Sequence, residues 1–307
     1  MTHKTQTKSA FIAITGRPNV GKSSLLNTLL GQKIAIVSNK PQTTRTRIMG
    51  VLTKDSTQFV FIDTPGLHKP KTSLGKYMVK SINESVAGVD VCVLVVEAGK
   101  SMQDSEKELI ERFKALKLPA VLVINKIDLV LDKSLIINQI TEFMKEFEFS
   151  AVVPLSAKTG DGISFLTSEL DKLANVSDFF FDEDTLTDQP ERVIVAEMIR
   201  EKMLRLLDKE IPHGIAVSVE KMRTRENKPD IIDIDATIYC EKASHKGIII
   251  GKSGSMLKRI GKSAREDIES FFDCKVNLQL WVKVKEDWRN REGLLKNFGF
   301  DKNDFNL

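Results

Sequence analysis

A chain of 307 residues, 41% hydrophobic and 29% charged, has the length of about two globular domains and ample material for a core. Cys92, Cys240 and Cys274 stand far apart, with no C-x-x-C and no paired histidines; this excludes a disulfide framework and a zinc site and suits a reducing, cytoplasmic setting. The net charge is only +4, and no apolar run approaches a membrane span or the core of a signal peptide, so the expectation is a soluble, at most peripheral, protein.

In chain order, Phe11 to Thr15 read as a buried strand and Ser24 to Leu30 as the start of a helix. Between them Gly16, Gly21, Lys22 and Ser23 satisfy G-x-x-x-x-G-K-[ST], with Arg17, Pro18, Asn19 and Val20 forming the intervening crest. The glycines let successive backbone N–H groups turn inward around phosphate oxygens, and the helix adds its positive end. Lys22 then reaches the outer phosphates and Ser23 a magnesium ion. Gly-Lys-Ser also occurs at 99–101, 251–253 and 261–263, but Leu94, Lys246 and Met256 stand there where the motif needs its first glycine.

Short Val- and Ile-rich runs at 59–62, 91–96, 120–125 and 151–155 read as strands buried on both faces. Segments Lys76 to Ala87, Asp104 to Lys117, Ser134 to Phe149 and Gly162 to Ala174 repeat apolar residues at helical spacing. The pattern predicts a doubly wound, mostly parallel α/β sheet whose ligands sit at the carboxyl ends of the strands. At such an end stands Asp63-Thr64-Pro65-Gly66, where Asp63 can hold magnesium through water and the Gly66 N–H can meet a γ-phosphate. At the next stands Asn125-Lys126-Ile127-Asp128. A carboxylate at Asp128 accepts from the ring N–H and amine of guanine, whereas adenine presents an acceptor there. Ser156-Ala157-Lys158 follows the last strand and can place a backbone N–H near the guanine oxygen.

With four motifs in order, residues 10–175 resemble a Ras-like translation-factor GTPase, and Lys40-Pro41-Gln42-Thr43-Thr44-Arg45-Thr46-Arg47 resembles the first switch of the Era subfamily. The resemblance implies GTP and GDP as ligands, and Mg2+ held by Ser23, Thr44 and Asp63. Thr44 is the first choice for the switch threonine and Thr43 the second. Lys22, Thr44, Gly66 and Asn19 are implied in hydrolysis, and the whole of 16–24, 63–67, 125–128 and 156–158, Ser24 included, in nucleotide binding. Leu67 occupies the place of the glutamine that orients water in Ras-type enzymes, and leucine cannot do that. The resemblance implies hydrolysis by other means, and several relatives with an apolar residue here use K+ held partly by a P-loop asparagine; Asn19 stands at that position, and a plain turn role for it is equally open.

Ser177 to Glu191 carry six acids and no base, while Ser244 to Arg265 carry six bases and no acid, suggesting an acidic linker and then a module with a basic face. Arg192 to Leu207 read as a helix, 216–222 and 231–239 as strands, Ser255 to Phe272 as a helix and 275–284 as a strand. In their midst Lys246-Gly247-Ile248-Ile249-Ile250-Gly251-Lys252-Ser253-Gly254 supplies a G-x-x-G turn that can approach a nucleic-acid backbone. Lys252, Lys258 and Arg259 face phosphates, and the three isoleucines line a groove for unstacked bases. This is similar to an α+β KH domain of the second type.

The expected division is a GTPase domain over 1–176, an acidic linker over 177–191 and a KH-type RNA-binding domain over 192–307. Membership of the Era subfamily further implies binding to the 3′ end of 16S ribosomal RNA on the 30S subunit during its maturation, as a monomer, with peripheral association on the inner face of the cell membrane. Two alternatives stay open on the residues alone: an ATP-using P-loop kinase, which has no need of Asn125 or Asp128, and a membrane- or protein-partner signalling GTPase.

Overall fold

The computed structural model describes residues 6–38, 40, 43–65, 72–74, 77–78, 80, 88–208, 211–298 and 300. The chain divides into two compact units. The first comprises 1–35, 44–69 and 78–188; the second comprises 36–43, 70–77 and 189–307.

The first unit is built on strands β1 (Lys8–Thr15), β2 (Ile48–Lys54), β3 (Thr57–Asp63), β4 (Val91–Glu97), β5 (Ala120–Asn125), β6 (Ala151–Leu155) and the short β7 (Asn175–Val176). They pair in the order β2-β3-β1-β4-β5-β6, with β7 beside β1. Only β2 and β7 run antiparallel to their neighbours. Strands β4 and β5 are buried on both faces, from Val91 to Val96 and from Ala120 to Asn125, which is why they read as unbroken apolar runs. Helices α1 (Lys22–Leu30), α2 (Asp104–Leu116), α3 (Ser134–Glu146) and α4 (Ile163–Leu173) cover the sheet. Helix α2 starts at a capping box in which Gln103 and Glu106 satisfy each other's backbone N–H, and it seats Leu109, Ile110 and Phe113 in the core. The expected helix over Lys76 to Ala87 lies mostly outside the described residues.

Strand β2 is missing from the sequence expectation, and Gly50 explains why. A Cβ there would come within 2.6 Å of Leu30 Cδ1 and 3.0 Å of Leu26 Cδ1, so the close packing of α1 on β2 puts a strand-weakening residue in mid-strand. The acidic stretch also departs from expectation. Instead of a free linker, residues 177–188 form a strap bonded to the first unit. Ser177 N–H donates to Thr7 O (3.1 Å) and the Phe180 ring meets Phe11 edge-on at 4.9 Å. The fully buried Gln58 exchanges three bonds with the backbone of Phe180 and Phe181. Val51 N–H on β2 donates to Leu186 O (2.8 Å) and Thr187 Oγ1 to Met49 O (2.5 Å). The carboxylates of this segment are exposed, and its backbone together with the Thr187 hydroxyl makes these bonds.

The second unit orders α5 (Glu191–Leu206), β8 (Ala216–Arg225), β9 (Lys228–Cys240), α6 (Ala243–Ile250), α7 (Ser255–Phe272), β10 (Lys275–Val284) and α8 (Glu292–Asn297). Its sheet runs β10-β9-β8, with β9 parallel to β10 and antiparallel to β8. Ile260, Ala264 and Ile268, four apart on α7, meet Val195, Met198 and Ile199 of α5 and Ile234, Ala236 and Ile238 of β9 in one core. The buried Trp288 closes one side, its indole donating to Gly214 O at 2.9 Å. The order α-β-β-α-α-β is the one expected. No helix among the described residues is long and apolar enough to cross a membrane.

Candidate nucleotide and nucleic-acid sites

Two glycines of the P-loop are there because nothing else fits. A Cβ on Gly16 (φ 140°) would stand 2.3 Å from Val95 O, and one on Gly21 (φ 103°) 2.2 Å from Asn125 Nδ2. Behind the loop lies Lys22, 6% exposed, whose Nζ donates to Gly16 O (3.0 Å) and Arg17 O (2.9 Å). Burial pulls its pKa down to about 8, against a smaller upward pull from Asp63.

Three oxygens converge beside it. Ser23 Oγ donates to Asp63 Oδ2 at 2.7 Å and lies 3.0 Å from Thr44 Oγ1, which is 3.5 Å from the same carboxylate oxygen. Thr43, the second choice, turns its hydroxyl to Lys40 O (2.6 Å). Asp63 is fully buried; its Oδ1 has no hydrogen-bond partner, and burial raises its pKa. A buried, half-satisfied carboxylate flanked by two hydroxyls is a hard-oxygen set that fits a divalent cation of magnesium type. Thr64 Oγ1 anchors the turn to Ile14 O at 3.0 Å. Gly66 and Leu67 lie outside the described residues.

Asn125, 2% exposed, joins the P-loop to the other two loops. Its Nδ2 donates to Val20 O (2.8 Å), and its Oδ1 accepts from Lys126 N (2.8 Å) and Ala157 N (3.0 Å). Lys126, at φ 68°, pairs with Glu97 at 2.7 Å. Asp128 stands exposed at the rim, where Ser156 Oγ donates to its Oδ1 at 2.8 Å; the Ser156 side chain is otherwise buried. Thr28 of α1 donates to Ala157 O at 2.7 Å, and Lys158 points to solvent. The structure therefore brings 16–24, Thr44, 63–65, 125–128 and 156–158 to one end of the sheet. One partner escaped the sequence reading. Arg17 Nε donates at 2.7 Å to Glu106, which is 1% exposed and caps α2. The Q-x-x-E spacing marks Glu106 as a capping residue, but nothing in it points to Arg17, 89 residues away.

In the second unit the G-x-x-G turn Gly251–Gly254 joins α6 to α7, with Gly251, Ser253 and Gly254 all at positive φ. A Cβ on Gly251 would strike Met256 (2.8 and 2.9 Å), whereas one on Gly254 would meet nothing within 4 Å. Lys246, Gly247, Ile248, Lys252, Ser253, Lys258 and Arg259 are exposed, and Ile250 is half-buried. Ile249 overturns its expectation. It is fully buried in the core, because consecutive helical residues point about 100° apart and only its neighbours can face a groove.

A P-loop, a magnesium-type oxygen cluster and an Asn/Asp base site at the strand ends, followed by a separate G-x-x-G module, define a Ras-like guanine-nucleotide-binding protein with a KH domain. The family models agree: residues 11–126 match a 50S ribosome-binding GTPase model and residues 210–289 a KH domain model. The chain belongs to the GTPase Era family. It is 51% identical to GTPase Era of Ruminiclostridium cellulolyticum (96% of this chain, 98% of the relative) and 49% identical to that of Clostridioides difficile (96% and 99%). Among solved structures it resembles an Aquifex aeolicus Era variant bound to GDP·AlF4− and an Era complex with MgGDPNP and nucleotides 1506–1542 of 16S ribosomal RNA. Each has TM-score 0.91 and 38% identity, covering 96% of this chain and 99% of the other.

Proposed function

We propose that this protein binds GTP and hydrolyses it to GDP and phosphate, binds the 3′ end of 16S ribosomal RNA through its KH domain, and acts in maturation of the 30S subunit with RNA binding coupled to nucleotide state. The observation that carries the reading is the meeting of Ser23, Thr44 and the half-satisfied Asp63 beside Lys22 in front of the P-loop. Functionally the chain divides into 1–176 and 192–307, with 177–191 joining them.

The geometry of the described residues supports the following roles. The amides of 16–24 cradle the phosphates and Lys22 neutralises the outer ones. Ser23, Thr44 and Asp63 would hold magnesium, which when bound would neutralise charge on the phosphates. Asp128, oriented by Ser156, reads guanine, and the 156–158 loop, tied to Asn125, offers a backbone N–H to its oxygen. Gly66 is assigned to the γ-phosphate and Leu67 to the absence of a water-positioning amide from their sequence places alone. Intrinsic turnover is then slow, no faster than roughly 10⁻² per second. Lys246, Gly247, Ile248, Ile250, Gly251, Lys252, Ser253, Gly254, Lys258 and Arg259 are assigned to RNA. Potassium at Asn19, a monomeric state and peripheral attachment to the inner membrane face complete the proposal as the resemblance implies them.

The test is nucleotide competition followed by titration with a transcript of 16S nucleotides 1506–1542. GTP should displace a fluorescent guanine nucleotide and ATP should not, and the transcript should bind with sensitivity to Lys252→Gln. Equal displacement by ATP would refute the nucleotide half, and indifference to Lys252→Gln together with Lys258→Gln the RNA half.

A further inference from the structure

Seven consecutive residues of α5, Met198 to Leu204, are buried. Four are apolar and belong in a core, but the other three are Arg200, Glu201 and Lys202, at 2%, 0% and 5% exposure. Three adjacent charges on a helix ordinarily face water, and burying them gives no more stability than apolar residues of the same size.

Their partners explain the arrangement. Glu201 Oε1 accepts from Val37 N (2.9 Å) and from Arg205 Nη2 (2.9 Å), and its Oε2 accepts from Lys202 Nζ (3.1 Å). Arg205 also donates to Val37 O from Nε (3.2 Å) and Nη2 (3.1 Å). Arg200, clamped by Glu197 at 2.7 and 2.5 Å, donates to Thr43 O, and Lys40 Nζ donates to Leu207 O. All of these groups lie within the second compact unit, and α5 holds Val37 and Thr43 by their backbone. The next peptide bond leads to Thr44, whose hydroxyl stands with Ser23 and Asp63. On the other side, Lys202 Nζ donates to Asp267 Oδ2 of α7, the helix that begins at Ser255, directly after the G-x-x-G turn. Asp267 lies twelve residues along a single helix from Ser255, about 18 Å of rigid rise.

We propose that the buried chain Glu201–Lys202–Asp267 is the element through which the nucleotide state at Thr44 reaches the RNA-binding turn. This rests on the coupling stated under Proposed function and names the residues that perform it. With Thr44 beside Ser23 and Asp63 the Val37–Glu201 bond is made, so a shift of Val37 and Thr43 that accompanies release of Thr44 takes a donor away from a fully buried carboxylate. Glu201 must then take more from Lys202, which loosens or redirects the Lys202–Asp267 bond. A buried network with one donor too few does not deform gradually; it settles into a second arrangement, which is what a switch requires.

The test compares affinity for the transcript of 16S nucleotides 1506–1542 in the Mg-GTP-analogue and Mg-GDP forms of the full chain, for wild type, Asp267→Asn, Glu201→Gln and the double variant. Wild type should show a ratio between the two forms of at least about fivefold, at the lower end of common couplings. Asp267→Asn and Glu201→Gln should each bring it to within about twofold of one, while nucleotide affinity without RNA changes less than about threefold. The double variant should lose no more than the worse single one, as residues of one chain do. Lys258→Gln is the control: it weakens RNA binding in both forms and keeps the ratio. Asp267, at 28% side-chain exposure, tolerates asparagine, so this variant decides the matter if Glu201→Gln does not fold. A wild-type ratio retained in Asp267→Asn overturns the relay and leaves the coupling standing. A wild-type ratio of one overturns the coupling itself, and the relay with it.

Discussion

Replacing Asn125 by alanine should disable the nucleotide site without touching any residue that contacts a phosphate. The side chain makes three bonds, and those to Val20 O and Ala157 N are buried. Removing it strands a carbonyl and an amide at about 1 to 3 kcal/mol each, and weakens the Lys126 amide by about 0.5 to 1.5 kcal/mol. The sum is about 2.5 to 7.5 kcal/mol. Part of it appears as lost stability, and part as lost affinity, because a bound nucleotide needs the P-loop and the base loops locked together. An even split gives about 1.25 to 3.75 kcal/mol on binding, or roughly 8- to 600-fold weaker GDP. Fluorescent-nucleotide titration reads the affinity, and urea unfolding of the nucleotide-free protein reads the remainder. Asn125→Asp separates the two halves of the strut: it keeps the acceptor for Lys126 and Ala157 but sets an oxygen against Val20 O. It should therefore bind GDP nearly as poorly as the alanine variant. If Asn125→Ala bound GDP within threefold of wild type with an unchanged unfolding midpoint, the strut would carry no function. A wild-type-like Asn125→Asp would remove its P-loop half.

Three other outcomes follow from particular geometries. Asp128→Asn should lose about 2 to 4 kcal/mol of GTP affinity and gain xanthine-nucleotide binding, while Ser156→Ala, which only frees the carboxylate, should cost less than about 1.5 kcal/mol; competition assays compare them. The depressed Lys22 pKa of about 8, against an unfolded value of 10.5, means that the unfolded chain holds the extra proton across that interval, so nucleotide-free stability should rise with pH from about 8 to 10.5. Unfolding curves of wild type minus Lys22→Met should show the rise, and a flat difference would contradict the burial of the amine. In the KH domain a side chain on Gly254 (φ 79°) meets open space, so Gly254→Asp carries only the left-handed backbone cost of about 1 to 2 kcal/mol and should still fold and hydrolyse GTP while abolishing RNA binding. Gly251→Ala collides with Met256 and should lower the melting temperature; equal melting of the two variants would speak against the turn geometry.

Buried strands announce themselves as unbroken apolar runs, so β3, β4 and β5 were legible along with the motif at each strand end; β6 was found too, but as an edge strand it is only partly buried, not buried on both faces as its apolar run suggests. The P-loop glycines were legible too, because sterics leave no substitute facing Val95 O and Asn125 Nδ2. Asn125 was recognisable as half of a base-reading motif but not as a strut, since its partners Val20 and Ala157 lie 105 residues before and 32 after it. Charge patterning misled over 177–188, which reads as a linker although its backbone and the Thr187 hydroxyl bond to the first unit. The burial of Arg200, Glu201 and Lys202 was not legible, because their charges find partners on segments distant in the chain. Ile249 shows the remaining limit: a run of three isoleucines does not say which of them a helix turns inward.

The strap has a practical consequence for dividing this protein. A truncated GTPase domain ending at residue 176, where composition alone puts the boundary, would strip Leu186 and Thr187 from β2 and the Phe180 and Phe181 backbone from the buried Gln58 amide. Edge strand β2 would then offer unpaired backbone groups to any second copy, and Phe11 would lose its aromatic cover, the ingredients of edge-to-edge aggregation. The same domain ended at residue 188 carries its own edge protection, so the twelve residues that look most dispensable are those that let this half of the molecule exist alone in solution.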